Sequence, residues 1–336
     1  MTKRITLDQV AKAANLSPAA VSRYLNGLLV LPVETGRRID QAVKDLGYRP
    51  NHHARSLSRG RSDAIGLVIP EIDNPFFSGL AASVERAADA RGIAVMLCST
   101  SNKASRELKY IDTLGVGVVD GLLFATNHND ADGALASAIN NAARIVLVDE
   151  DVPGTNVSKI FSDNHQGGYL AGRHLIEAGH RRLVYIGGPS DLMSAQERAA
   201  GFHEAVREAG PGVEIVAENF GDYSTVFGSA AITAILDGKS RATAVFAGSD
   251  AILIGILRVM ATRQVAVAGD ISIVTFDDAS PLELMATPVT AVRQPIAAMG
   301  ERALDLLLAA VGGATEPTVE RLAVDLVIRD SVRRIA

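Results

Sequence analysis

The sequence predicts a small all-α head followed by an α/β body built from two doubly wound parallel-sheet subdomains. Three observations predict it. Residues 1–62 carry 11 Lys and Arg against 4 Asp and Glu, whereas the remaining 274 carry 22 against 34. Two short helical patterns joined by a three-residue break open the chain. From Asp63 onward, short apolar runs alternate with amphipathic helical patterns in two similar series.

At 336 residues the chain is too long for one ordinary domain. Hydrophobic residues at 48% give each domain a core, and charged residues at 21% are near the globular norm. The net charge of −5 alone does not suggest nucleic acid, but its distribution does. A basic head on an acidic body binds a polyanion at one end while the body repels it. The lone Cys98 rules out an intramolecular disulfide and weighs against a thiolate metal cluster. The longest run without a charge, residues 223–236, is 14 residues and too short to span a bilayer. No apolar stretch follows the basic start, so a cytoplasmic protein with no membrane association is expected.

In the head, Thr6 can cap a first helix, with Gln9 returning a bond to the cap's backbone N–H. Leu7, Val10, Ala11 and Ala14 supply its apolar face, and Asn15-Leu16-Ser17 break it. Ser17 is a good N-cap, and Pro18 suits the first helical position because no N–H is needed there. The second helix runs to about residue 25, with Val21 and Leu25 inward and Ala19, Ala20, Ser22 and Arg23 outward. Asn26-Gly27 ends it. A third helix spans about 34–46, with Ile39, Val43 and Leu46 buried and Gly47 as its stop. This is the helix-turn-helix pattern, although a plain three-helix bundle also matches it. Small outer residues let a helix sink into the major groove, where Arg23 can fork onto guanine or phosphate. The basic stretch 48–61 reads from composition as a linker, or as a helix of about two turns that is marginal without packing.

In the body, strands are expected at 64–70, 93–98, 121–125, 145–149, 159–162, 183–187, 213–216, 243–247, 271–276 and 323–328. Helices lie between them, among them 76–91, 166–179, 195–209, 225–236, 251–261 and 295–311. Ligands bind such sheets beyond the carboxyl ends of the strands, and two facing sheets make a cleft there. Polar and aromatic residues gather at those ends: Asp73, Asn74, Phe76 and Phe77, then Asp163, Ser194 and Arg198, then Tyr223, Ser249, Asp250 and Asp277. Carboxylates and a guanidinium bond hydroxyls directionally while aromatic faces cover the apolar side of a ring, which suits a sugar or polyol. Asp163 and Asp277 fit helix-capping loop carboxylates equally well.

Thr6-Leu7-Asp8-Gln9-Val10-Ala11, Ser17-Pro18-Ala19-Ala20-Val21-Ser22-Arg23 and Asn26-Gly27 strongly resemble the head of the LacI/GalR family of bacterial repressors. Gly47-Tyr48-Arg49-Pro50-Asn51 and Ala54-Arg55-Ser56-Leu57 resemble its hinge. Further matches are Ile65-Gly66-Leu67-Val68-Ile69-Pro70, Asn74-Pro75-Phe76-Phe77, Asp163-Asn164-His165-Gln166-Gly167-Gly168, Arg198-Ala199-Ala200-Gly201-Phe202 and Phe276-Asp277-Asp278, so the resemblance covers essentially the whole chain. It implies a homodimer or a tetramer on a pseudo-palindromic double-stranded operator, with a sugar-like effector. Pro18, Ala19 and Arg23 match base-reading positions, and Thr6, Ser22, Asn26, Tyr48 and Asn51 match backbone-contacting ones. Leu57 matches a residue that wedges into a minor-groove step, and Leu7, Ser17, Ala54 and Arg55 complete the expected DNA-binding set. Phe76, Asp163, Ser194, Arg198, Tyr223 and Asp277 fall on effector positions. Leu192 stands where purine-sensing members carry an arginine, which weighs against a purine. The expected division is head 1–49, hinge helix and linker 50–62, N-terminal subdomain 63–162 plus about 291–320, and C-terminal subdomain 163–290 plus about 321–332. Two departures stand out: Gly36 interrupts the third helix, and Leu28-Leu29-Val30-Leu31 make an unusually apolar loop.

Two rival classes share part of this pattern. A solute-binding transport protein shares the two-halved cleft but not the basic head. An enzyme would need chemistry that is missing, for there is no phosphate loop, zinc-helix motif or nucleophile elbow. Gly115-Val116-Gly117-Val118-Val119-Asp120-Gly121 precedes a strand, unlike a dinucleotide loop, and His52-His53 fit a hinge surface better than a metal site. No catalytic residue, cofactor or metal is therefore expected.

Overall fold

In a computed structural model of the chain, residues 5–48, 61–142, 144–238 and 241–335 are described. Two compact units divide at Asp63 and Ala64. The expected hinge helix, with Asn51, Ala54, Arg55 and Leu57, lies outside the described residues.

The head has three helices: α1 (Leu7–Ala14), α2 (Pro18–Leu25) and α3 (Val33–Leu46). The Thr6 N–H donates to Gln9 Oε1 at 2.9 Å, and Ser17 Oγ accepts from Ala20 N at 3.2 Å, so both helix starts are capped as read. Asn15 and Gly47 close α1 and α3 in the left-handed region, at φ 55 and 63°. The core is Val10, Ala11, Ala14, Val21, Ile39 and Ala42. Ala42 takes a buried place expected of Val43 and Leu46, which pack only partly against it. Gly36 has a packing reason: a Cβ there would meet the Tyr24 ring, whose hydroxyl donates to Asp40 Oδ2 at 3.1 Å. The helix therefore gives up propensity so that Tyr24 can lie across it.

The body holds two six-stranded sheets. The first uses β1 (Ala64–Ile69), β2 (Ala94–Ser99), β3 (Leu122–Phe124), β4 (Ile145–Val148), β5 (Ser158–Ser162) and β11 (Val319–Leu322), in the order β11-β5-β4-β3-β1-β2. The second uses β6 (Arg182–Gly187), β7 (Glu214–Phe220), β8 (Ala244–Ala247), β9 (Ser272–Phe276), β10 (Thr290–Arg293) and β12 (Asp325–Val327), in the order β12-β10-β9-β8-β6-β7. All pairings are parallel except β10 with β12. Both sheets share one winding, so each has a switch point where a crevice opens, between β1 and β3 and between β6 and β8.

Helices cover both faces. α4 (Pro75–Asp89) and α11 (Ile296–Val311) bury Leu80, Val84, Met299 and Leu304 on one face of the first sheet. α5 (Ala104–Gly115) and α6 (Ala134–Ala142) bury Ile111, Leu114 and Ile139 on the other. In the second half α7 (Asn164–Glu177) and α8 (Met193–Ala209) cover one face, and α9 (Thr225–Asp237) and α10 (Asp250–Thr262) the opposite one.

Two strands were not foreseen. β10 and β11 each have four residues, too few to show a period. They correct the expected boundaries. Residues 291–293 belong to the second sheet through β10, and 321–322 to the first through β11. The expected strand at 323–328 shrinks to β12. The chain still crosses between halves three times: after β5, after β10 and between β11 and β12.

A glycine seam joins α7 and α8. A Cβ on Gly168 would strike the Arg198 carbonyl oxygen, and one on Gly201 the His165 carbonyl oxygen. Backbones this close cannot yield to a methyl group, so Gly201→Ala is expected to destabilise the body by about 1–3 kcal/mol. Gly212, with nothing within 4 Å of such a Cβ, serves as control. Urea melts of Gly201→Ala and Gly212→Ala check this, and equal midpoints would show that the seam is slack.

Candidate functional site

A cavity of about 350 Å³ lies in the body, lined from both sheets. Loops after β1, β2, β3 and β4 bring Glu71, Asn74, Phe76, Phe77, Asn102, Asn127 and Asp149. The second half adds Pro189, Ser194, Arg198, Asp222, Tyr223, Ser224, Ser249, Asp250 and Asp277, and the β10–α11 crossing adds Gln294. These positions follow the strand ends at both switch points.

Local chemistry fixes each side chain. Asn74 caps α4, its Oδ1 accepting from Phe76 N at 2.9 Å, and the Phe76 and Phe77 rings meet edge-on at 5.1 Å. Arg198 is 4% exposed. Its Nε donates to Asn164 Oδ1 at 2.9 Å, its Nη1 donates to Gly248 O at 2.8 Å, and its plane stacks 3.6 Å from the Phe276 ring centroid. Ser249 caps α10 through Ile252 N at 3.3 Å, and Asp250 Oδ1 accepts from Ala251 N at 2.7 Å. Ser194 Oγ lies 3.2 Å from the Tyr223 hydroxyl. Gln294 donates to Asp277 Oδ1 and accepts from Ser162 Oγ, both at 2.6 Å, tying a crossing segment to the cleft floor.

Two contacts bridge the halves beside the cleft. The Glu150 carboxylate, after β4, accepts from Ser194 N at the start of α8, at 3.2 and 3.3 Å. Arg321 on β11 forks onto Glu197 of α8 at 2.6 and 2.7 Å. The second pair is partly solvated and contributes under about 1 kcal/mol, whereas Glu150 is buried and also benefits from the α8 N-terminus.

Carboxylates outnumber cations here. Desolvation pushes Asp149 up to about 8, with Glu150 and Asp277 adding repulsion and Arg198 opposing it. Desolvation and the Asp277 charge raise Asp250 to about 7, and burial raises Asp277 as well. Asp278, next in sequence, goes the other way: burial alone would raise it, but bonds from Arg329 and Arg293 hold it below its usual range. It serves the fold.

Nine of the eleven expected effector residues line the cavity; Asp73 and Asp163 do not. Asp73 is exposed beside the first loop. Asp163 caps α7, its Oδ1 accepting from Gln166 N at 3.0 Å, so its helix-capping alternative describes what it does here. Asn102, Asn127, Asp149 and Gln294 line the cavity outside that set, as do Glu71, Pro189, Asp222 and Ser224. The first three obey the strand-end rule already applied to their neighbours, while Gln294 follows an unforeseen strand. Among the described residues, no cluster of three or more His, Cys, Asp or Glu could hold a metal.

On the head, Thr6, Ser17, Pro18, Ala19 and Arg23 are exposed, and Ser22 and Asn26 are half-buried with Asn26 Nδ2 donating to Ser22 Oγ at 3.4 Å. Leu7 and Tyr48 are half-buried and pack partly against the head core.

Residues 6–51 match the family model described as bacterial regulatory proteins, lacI family, and residues 173–332 match the periplasmic binding protein-like domain. The HTH-type transcriptional regulator DegA of Bacillus subtilis is 33% identical over 302 residues, covering 88% of each chain. The chain belongs to the lacI family of bacterial regulatory proteins. Solved structures of lacI-family proteins agree in fold. A lac repressor dimer bound to operator and the anti-inducer ONPF superposes with a TM-score of 0.87 at 26% identity, over 98% of this chain and 100% of that one. A complex of the transcriptional regulator CelR with cellobiose gives 0.73 at 32%, over the same shares. This lacI-family chain is thus a DNA-binding transcription regulator, and its relatives are transcription regulators. The match over 6–51 removes the solute-transport reading. Among the described residues no helix is long and apolar enough to cross a membrane.

Because folding raises the Asp149 carboxyl, the folded chain keeps a proton that the unfolded chain has lost between the two pKa values. That stability is present at acid pH and disappears as pH rises through about 8. Asp149→Asn, which also tolerates the positive φ, is expected to melt near wild type at about pH 4 and to be more stable by at least about 1 kcal/mol above pH 8. Thermal melts across pH check it; a variant that is less stable at alkaline pH would mean an ionised, paired carboxylate.

Proposed function

We propose that this lacI-family chain is a repressor whose operator affinity is set by a sugar or sugar derivative held between the two halves of its body. The observation carrying this is Arg198: a buried guanidinium, braced by Asn164 and Phe276, faces carboxylates from both sheets in one cavity. Such a set bonds hydroxyls from two sides, so ligand and cleft closure are linked. The CelR complex with cellobiose supports the ligand class, and the operator-bound lac repressor dimer supports a homodimer on a pseudo-palindromic site. Pro18, Ala19 and Arg23 read bases, and Thr6, Leu7, Ser17, Ser22, Asn26 and Tyr48 set the register on the backbone. The chain works in the cytoplasm and catalyses no reaction.

Effector binding alters repression only by as much as it prefers one dimer state over another. Bridges from Glu150 and Arg321 to α8 give closure a means of moving one half against the other. Operator fragments selected from genomic DNA, titrated by fluorescence anisotropy with and without a panel of sugars, test the proposal. One or more sugars are expected to change operator affinity at least fivefold, within the about 5–150-fold range of such couplings. No preferred site, or no response to any sugar, refutes it.

The hinge carries a second expectation. Leu57→Ala is expected to lower affinity for the selected operator while leaving salt-sensitive binding to random DNA largely intact, since a wedge acts only on a kinked site. Equal loss on both DNAs, in the same anisotropy assay, would mean that Leu57 is no wedge.

A further inference from the structure

We infer that the cleft selects a polyhydroxylated effector bearing a basic nitrogen over its neutral parent, and rejects phosphorylated or carboxylated ones. This rests on the cleft being the effector site.

The charge inventory comes first. Glu71, Asp149, Asp222, Asp250 and Asp277 line the cavity, and Arg198 is the one cation among its described lining residues. Arg198 is already engaged, through Nε to Asn164 and Nη1 to the Gly248 carbonyl. It cannot neutralise five carboxylates while holding those bonds.

One acceptor is left over. Asp250 is 4% exposed, and only its Oδ1 is bonded, to Ala251 N; its Oδ2 is buried without a partner. An unpartnered carboxylate oxygen on a cavity-lining residue is held at a cost that a donor brought within reach removes.

Backbone geometry makes the same point from both halves. Asp149 follows β4 and Asp277 follows β9, the third strand in each sheet order. They sit at φ 75 and 73°, a region uncommon for residues other than glycine. Strained carboxylates at matching places persist where surrounding structure over-determines them, and such strain gathers at ligand clamps. Burial pushes these groups toward their neutral forms, as expected where positive charge is scarce.

A ligand ammonium group supplies the missing charge and makes charge-assisted bonds stronger than those of a hydroxyl. A phosphate or carboxylate brings only further acceptors and negative charge to a cavity lined by five acids and one cation.

Isothermal titration calorimetry of the full-length protein near neutral pH tests this, using glucose, glucosamine, glucuronate and glucose phosphate, with the matching galactose set. In at least one set the amine is expected to bind about tenfold tighter than its neutral parent, the worth of exchanging a neutral hydrogen bond for a charged one, while the anions give no heat. Asp250→Asn should reduce that advantage to less than about threefold. A neutral sugar binding as tightly as its amine, an anion binding as tightly as either, or an unchanged advantage in Asp250→Asn overturns the inference and leaves the sugar-sensing reading intact. Silence from every member overturns it too, and if cellobiose is equally silent the sugar-sensing reading falls with it. The comparison on the natural chain stands by itself should the substituted one not fold.

Discussion

Arg198 carries a full positive charge at 4% exposure, and an ion leaving water loses several kcal/mol of hydration even after the protein relaxes around it. Hydrogen bonds, an aromatic face and nearby carboxylates must make up that loss. The body supplies all three from separate parts of the chain: Asn164 from the start of α7, the Gly248 carbonyl after β8, and the Phe276 ring at the end of β9. Asn164 reaches Arg198 because glycines let α7 and α8 approach backbone to backbone. The seam and the site are one piece of architecture. A bulkier seam would move the guanidinium away from its support.

The same arrangement explains why the cleft spans two halves instead of lying in one. Each sheet alone offers an open switch point with a few polar loops. Together they enclose about 350 Å³ and withdraw carboxylates from water, which gives those groups their raised affinity for protons and donors. Three crossings of chain hold the halves as a pair, and Gln294 in the middle crossing bonds both Ser162 at the end of β5 and Asp277 beyond β9. Glu150 at the α8 N-terminus is a buried bridge between the halves, whereas Arg321 with Glu197 is a partly solvated one. Ligand held between such halves acts on the same segments that set their angle.

The head solves a smaller problem with few residues. Six buried side chains, three of them alanines, form its core, so Tyr24 is needed to extend the packing across α3. Gly36 makes room for that ring. Leu28 and Val30 between α2 and α3, and Val33 at the first position of α3, remain exposed, and nothing in the structure accounts for their apolar character.

The sequence by itself determined the class and the rhythm of this protein. Helix starts at Thr6 and Ser17-Pro18 and stops at Asn15 and Gly47 are local bonds and local dihedrals, legible because partners lie within a few residues. Buried strands such as β4 and β9 announce themselves as apolar runs, and residues just past them, from Asn74 to Asp277, were legible as site candidates for that reason. What tertiary structure decided is whatever depends on distant parts of the chain meeting. β10 and β11 are strands only because β9 and β5 lie beside them, so Gln294 could not be placed from sequence. Asp163 and Asp277 look alike as loop acids, yet one caps its own helix while the other is held from across the crossing by Gln294. Spacing along a chain fixes periodicity, but burial, and with it the chemistry of a carboxylate, is set by neighbours that spacing cannot see.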